Sequence, residues 1–230
     1  MDRMWVKICG NTNLEDAAQA TELGADAVGF IFAESKRQVT SAQVAAITPH
    51  LPGSVEKVGV FCSHDAEEIA GIALGTGLDT VQLHGGLDED LLETVAQRLS
   101  GKVKIIQTLH WNIEQSAAGS AGESPAHQLK ANLERIAAMG TVDRVLIDSK
   151  VGSAGGGTGV AYDWAAARAA FASAPDTLQL IVAGGLRPMN VATAIAELKP
   201  WGVDVSSGVE ASPGRKDPAL VEAFLKSARG

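Results

Sequence analysis

One recurrence limits what this chain can become. Short runs of β-branched and apolar residues return along its whole length, each followed by a polar or glycine turn, an amphipathic helix, and then glycine or proline. Trp5–Cys9 leads to a helix from Leu14 to Leu23, with Thr12 and Glu15 spaced as a capping box and Gly24 placed to end it in the left-handed conformation. Ala27–Phe32 is a second strand, and Thr40 with Gln43 makes another capping box before a short helix that stops near His50-Leu51-Pro52. Lys57–Phe61 precedes a helix capped by Asp65 that ends among Gly75 and Gly77. Thr80–Leu83, the helix Asp88–Leu99, Val103–Thr108, the helix Leu129–Met139, Arg144–Ile147 and the helix Tyr162–Phe171 continue the cycle, and Leu180–Ala183 and Val203–Val205 are the last strands. The strands are nearly all apolar, as strands covered on both faces must be. Alternation kept up through about eight units predicts a single-domain (β/α)8 TIM barrel. An open doubly wound sheet would give a similar pattern, but no G-x-G-x-x-G turn follows the first strand.

The barrel is expected to occupy residues 1–230 as one domain, with one polar excursion at 111–127, where alanine, glycine, serine and glutamate replace the periodic pattern. With 46% hydrophobic and 20% charged residues, the chain has enough apolar material for one full core. A net charge of −8 argues against a nucleic-acid partner, which would call for a basic face. No apolar stretch has the length to span a membrane, and no secretory pattern precedes the first strand. Cys9 and Cys62 are too few for a disulfide framework, so a cytoplasmic protein is expected.

Function in a parallel barrel gathers where strands hand over to loops at the carboxyl face. The last two strands end in small residues, Gly184-Gly185 and Ser206-Ser207-Gly208, which let backbone N–H groups approach an anion. Paired loops of this kind are the usual phosphate site of the fold, although either alone could be no more than a tight turn. Other strand ends carry Cys9, Arg37, Cys62, His84, His110 and Asp148. Asp148 at an apolar rim is a candidate general acid, or else it caps the next turn or pairs with Lys150. Cys9 is either an inert buried thiol or, if its pKa is lowered, a base. His84 and His110, with a carboxylate, could instead hold a metal for an epimerase, but no H-x-H or H-E-x-x-H spacing supports this.

Taken together, Val6–Thr12 (VKICGNT), Gly24–Phe30 (GADAVGF), Ser35–Arg37 (SKR), Lys57–Phe61 (KVGVF), Val81–Gly85 (VQLHG), Leu146–Lys150 (LIDSK), Gly155–Gly159 (GGGTG), Ala183–Leu186 (AGGL) and Val203–Glu210 (VDVSSGVE) make the chain similar to the phosphoribosylanthranilate isomerases of tryptophan biosynthesis. The resemblance implies a TIM barrel performing an Amadori rearrangement of N-(5-phosphoribosyl)anthranilate, with neither metal nor organic cofactor. It implies Cys9 as general base and Asp148 as general acid, and Arg37 and His84 near the anthranilate. Gly184, Gly185, Ser207 and Gly208 would hold the phosphate, with Gly156 and Gly157 in a closing loop. The implied partner is a small phosphorylated molecule, with the chain acting as a monomer or homodimer. The resemblance leaves open what lowers the pKa of Cys9, for which the N-terminus of the following helix is the one suggestion, and it makes Cys62 a small hydrophobe.

Overall fold

The computed structural model describes residues 3–112, 125–142, 144–150 and 164–230, with the backbone alone for 112, 149, 150 and 164–167. Eight parallel strands close into a barrel in chain order: β1 Trp5–Ile8, β2 Ala27–Ile31, β3 Glu56–Phe61, β4 Thr80–Leu83, β5 Lys104–Asn112, β6 Arg144–Lys150, β7 Gln179–Ala183 and β8 Gly202–Val205. The ring shuts through β1 and β8, with Lys7 opposite Asp204. Closure, together with the helices around it, is the outcome that separates this chain from an open sheet.

The helices among the described residues are α1 Leu14–Glu22, α2 Ser41–Ile47, α3 Ala66–Gly75, α4 Glu89–Leu99, α5 Pro125–Met139, α6 Trp164–Ala172, α7 Val191–Leu198 and α8 Pro218–Arg229. They stack against the outer face of the strands, and the larger apolar cluster, with Val28, Phe30, Val81, Leu92, Ile136 and Phe224, lies between the two layers. A second, smaller cluster of Ala27, Val58, Ile106, Leu146, Ile181 and Ala183 fills the barrel itself. Side chains along a strand alternate in direction, so β2, β3, β5, β6 and β7 feed both clusters, while β4 and β8 turn polar residues or glycine inward.

Local signals act mostly where the sequence puts them. Thr40 and Gln43 form both hydrogen bonds of a capping box on α2, and Asp65 accepts from two amides at the start of α3. The box expected at Thr12 does not form. Asn13 caps α1, accepting from the Asp16 N–H, while the Thr12 hydroxyl donates to the Gly214 carbonyl at 2.7 Å. Two good capping residues stand side by side, and a tertiary partner takes the first. β5 runs to Asn112, four residues past the expected Thr108, because β6 offers it pairing as far as Asn112↔Lys150. Trp111 therefore belongs to a strand and His127 to α5, and residues 113–124 of the expected excursion lie outside the described residues.

Candidate active site

The alternation that fills the barrel also selects which side chains reach its mouth. On β1 the inward series is Trp5, Lys7 and Cys9, on β4 it is Thr80, Gln82 and His84, and on β6 it is Arg144, Leu146 and Asp148. Cys9 follows β1 directly, and its N–H still donates to the Val205 carbonyl at 2.7 Å, so the strand geometry holds its side chain on the inward face. Cys9 is 5% exposed. Asp148 stands on β6 in register with His110 and Ala183, its side chain 18% exposed. β1 and β6 are three strand pairings apart, through β8 and β7. The structure thus brings Cys9 and Asp148 to opposite walls of one rim, facing one axis.

A buried polar chain runs beneath them. The Lys7 ammonium, wholly buried, donates to Asp204 Oδ1 at 2.7 Å and to Gln82 Oε1 at 2.9 Å. Gln82 Nε2 donates to Thr108 Oγ1 at 3.2 Å and lies 3.3 Å from His84 Nδ1. His84 Nε2 is in turn 3.6 Å from Asp148 Oδ2. Burial works against the charge on Lys7, but the carboxylate of Asp204 and the sulfur of Cys9 together outweigh it and raise the ammonium above its ordinary range. Burial pushes the Cys9 thiol up, with Asp204 adding to the effect while Lys7 and Lys216 oppose it. The helix after Cys9 starts only at Leu14, so the opposing positive charge comes from lysines rather than from a helix end.

Arg37, in the loop after β2, presents its Nε and Nη2 to the two carboxylate oxygens of Glu210, each at 2.7 Å. Those hydrogen bonds raise its pKa further, and the fork expected to meet a substrate carboxylate is on this edge already held by the protein. Glu210 also accepts from Lys216 at 3.0 Å, and Lys216 donates on to the Cys9 carbonyl at 2.5 Å. Gly10 makes this packing possible: its φ is +76°, and a Cβ there would lie 2.7 Å from both Arg37 Cδ and Ser206 Oγ.

The two small-residue loops sit side by side after β7 and β8. Gly184 and Gly185 both take left-handed backbone, with φ of 92° and 64°. Ser207–Val209 forms a single 3-10 turn, the short extra helix that commonly completes a phosphate site in this fold. A Cβ on Gly208 would overlap the Leu186 carbonyl, so this glycine lets the two loops touch. The buried Ser206 hydroxyl has no hydrogen-bond partner among the described residues. Gly156 and Gly157 lie outside the described residues.

Cys62 is exposed rather than packed, which corrects its expected role as a small hydrophobe. The exposed His110 ring contacts His84 edge-on with centroids 4.9 Å apart, and its Nε2 lies 2.9 Å from the His84 carbonyl oxygen. Among the described residues, His84, His110 and Asp148 are the one set with donor atoms close enough, within 4.8 Å, to share a cation. Strand-end reasoning passes over Lys7, Gln82, Asp204, Glu210 and Lys216. A signal for three of them is present: Lys7, Gln82 and Asp204 are the polar interruptions in VKI, VQL and VDV, strands otherwise buried.

Fold and site together define a (β/α)8-barrel enzyme. Residues 6–227 match the model of the N-(5'phosphoribosyl)anthranilate (PRA) isomerase family. The chain is 41% identical over 226 residues to an N-(5'-phosphoribosyl)anthranilate isomerase of Thermotoga neapolitana, covering 98% of each chain. It is 40% identical over 228 residues to the isomerase of Geobacter sulfurreducens, again covering 98% of each. The crystal structure of phosphoribosyl anthranilate isomerase from Thermotoga maritima superposes with a TM-score of 0.81 at 36% identity over 99% of both chains. Another solved isomerase, in complex with reduced 1-(o-carboxyphenylamino)-1-deoxyribulose 5-phosphate, gives a TM-score of 0.78 at 34% identity, with 99% of both chains covered. This chain belongs to the phosphoribosylanthranilate isomerase family.

Proposed function

We infer that this protein isomerises N-(5-phosphoribosyl)anthranilate to 1-(2-carboxyphenylamino)-1-deoxyribulose 5-phosphate in tryptophan biosynthesis, with Asp148 as general acid and Cys9 as general base. The observation that carries the assignment of roles is the placing of these two groups on opposite walls of one barrel rim. Asp148 gives its proton to the furanose ring oxygen as the C1′–O bond breaks, and the anthranilate nitrogen supplies the electron pair that leaves C1′ as an iminium. The iminium acidifies C2′–H. Thiolate Cys9 takes that proton, and the C–H electrons form the C1′–C2′ double bond while the nitrogen recovers its pair. The resulting enolamine tautomerises to the ketone as C1′ gains a proton and the C2′ hydroxyl loses one. Proton transfers of this kind contribute about 10²–10⁴ each in rate.

The phosphate binds to Gly184, Gly185, Ser207 and Gly208, whose backbone conformation and close loop contact suit an anion. Arg37, oriented by Glu210, turns its remaining edge to the anthranilate carboxylate, and His84 lies beside the ring. One barrel domain spans residues 1–230, and the protein works in the cytoplasm on a small phosphorylated molecule, as a monomer or homodimer, with no nucleic-acid partner. No helix among the described residues is long and apolar enough to cross a membrane.

Freshly prepared phosphoribosylanthranilate loses its fluorescence as it is consumed. Rapid decay with the unmutated protein, and near-background decay with Cys9→Ala and with Asp148→Ala, is the expected result. Normal turnover by either variant would end the acid/base assignment.

A further inference from the structure

Cys9 poses a physical problem that some of its neighbours work against. A base made from a thiol must carry negative charge, yet this thiol is buried, and burial favours the neutral form. The charged groups facing it are Lys7 two residues earlier on β1, Asp204 on β8, Lys216 on the two-residue strand Arg215–Lys216 beyond β8, and Arg37 from the loop after β2. Three of these are cations, but they are not equivalent. Arg37 and Lys216 both lie against Glu210, and Lys216 turns its protons to the Cys9 and Ser206 carbonyls. Lys7 lies on the same inward face of the same strand as the sulfur. A Cβ on Gly29 would meet Cys9 Sγ at 2.7 Å and Lys7 Cε at 2.9 Å, so thiol and lysine stem occupy one space that the neighbouring strand leaves open with a glycine. Asp204 and Gln82 fix the ammonium at 2.7 and 2.9 Å.

We propose that Lys7 is the positioning residue for the base: its ammonium, tethered to Asp204 on β8 and Gln82 on β4, stands against Cys9 and favours the thiolate that deprotonates C2′. Lys7 touches no reacting atom and acts only through Cys9. Asp204 keeps the lysine charged in a place where an unpaired ammonium would give up its proton. This deepens the assignment of Cys9 as general base and rests on it.

The test is a direct titration of Cys9 that needs no turnover. In a Cys62→Ser background, the ultraviolet absorbance of the thiolate is followed against pH, and the same curve for Cys62→Ser/Cys9→Ala is subtracted. Lys7→Met is expected to move the Cys9 midpoint upward by about one pH unit or more, leaving roughly tenfold less thiolate at a fixed pH below it. The alkaline shift should appear equally in the pH profile of kcat, with KM little changed. Lys7→Met leaves Asp204 buried without its partner, so Lys7→Met/Asp204→Asn serves as the variant that removes both charges and keeps the fold. Its midpoint should lie between those of the other two proteins, because the lysine stem shares the sulfur's space at Gly29 while Asp204 is bound to the ammonium. A midpoint in the double variant equal to or below that of the parent would overturn the proposal. If Cys9→Ala kept full turnover, the base assignment itself would fail, whatever the titration showed.

Discussion

The barrel interior holds two buried charge clusters, one at the floor and one beneath the mouth, and they are built to opposite ends. At the floor, Arg144 makes two hydrogen bonds to Glu56, at 2.9 and 2.7 Å, and its guanidinium lies against both Trp5 and Trp201, 5.8 and 5.9 Å from the ring centroids. Thr80 bonds the same carboxylate, and the two tryptophans stack on each other with centroids 5.2 Å apart. Under the mouth, Lys7 is equally buried, but its partners lead onward through Gln82 to His84 and Asp148 on one side and lie against Cys9 on the other. Strands of one barrel can therefore carry ions inward for two purposes, and what separates them is whether the network stays at the floor or reaches the rim where a ligand enters.

Asp148→Asn should give the largest effect, cutting kcat by about 10²–10⁴-fold with little change in melting temperature. Steady-state kinetics beside thermal unfolding reads both, and a large loss of stability would blur the division between rim and floor. Arg144→Met is the mirror experiment. It leaves Glu56 without its ion partner and should cost about 3–5 kcal/mol in denaturant unfolding, while kcat below the transition stays near that of the parent. Adding Glu56→Leu should return most of that stability, and a catalytic defect in a folded Arg144→Met protein would show that the floor speaks to the site. Arg37→Lys sharpens the comparison from the rim side. Lysine cannot bridge Glu210 and a substrate carboxylate with one planar group, so KM should rise about tenfold with a smaller change in kcat.

The smallest effect concerns acid. Burial tends to raise Glu56, but Arg144, Thr80 and Lys104 together hold it below the ordinary carboxylate range. A carboxyl lowered in the folded state contributes stability that is complete above its unfolded pKa and is lost as pH falls through the folded one. Unfolding free energy should thus decline through the acid range, and Glu56→Gln should flatten part of that slope. An unchanged slope would mean that Glu210, lowered by Arg37 and Lys216 despite its burial, carries the acid sensitivity instead.

Most of the fold was legible because its signals are local. Periodic apolar runs, the Thr40 and Asp65 caps and the glycines after strands all act within a few residues. The rule that function gathers at strand ends likewise locates Cys9, Arg37, His84 and Asp148 on the rim. What escaped is what the chain assembles from afar. Lys7 and Asp204 are 197 residues apart in sequence and opposite each other only once β1 meets β8, and Arg37 finds Glu210 across 173 residues. The length of β5 depends on β6, and Thr12 leaves its helix for Gly214, choices that no window of neighbouring residues contains.

Gly29 gives this arrangement a consequence for anyone who would alter the enzyme. It has no functional group to lose, yet one added methyl would compete with the sulfur and the lysine stem for the same few cubic ångströms. An alanine scan would score the position as essential and invite a chemical explanation, when what had been removed was vacant room.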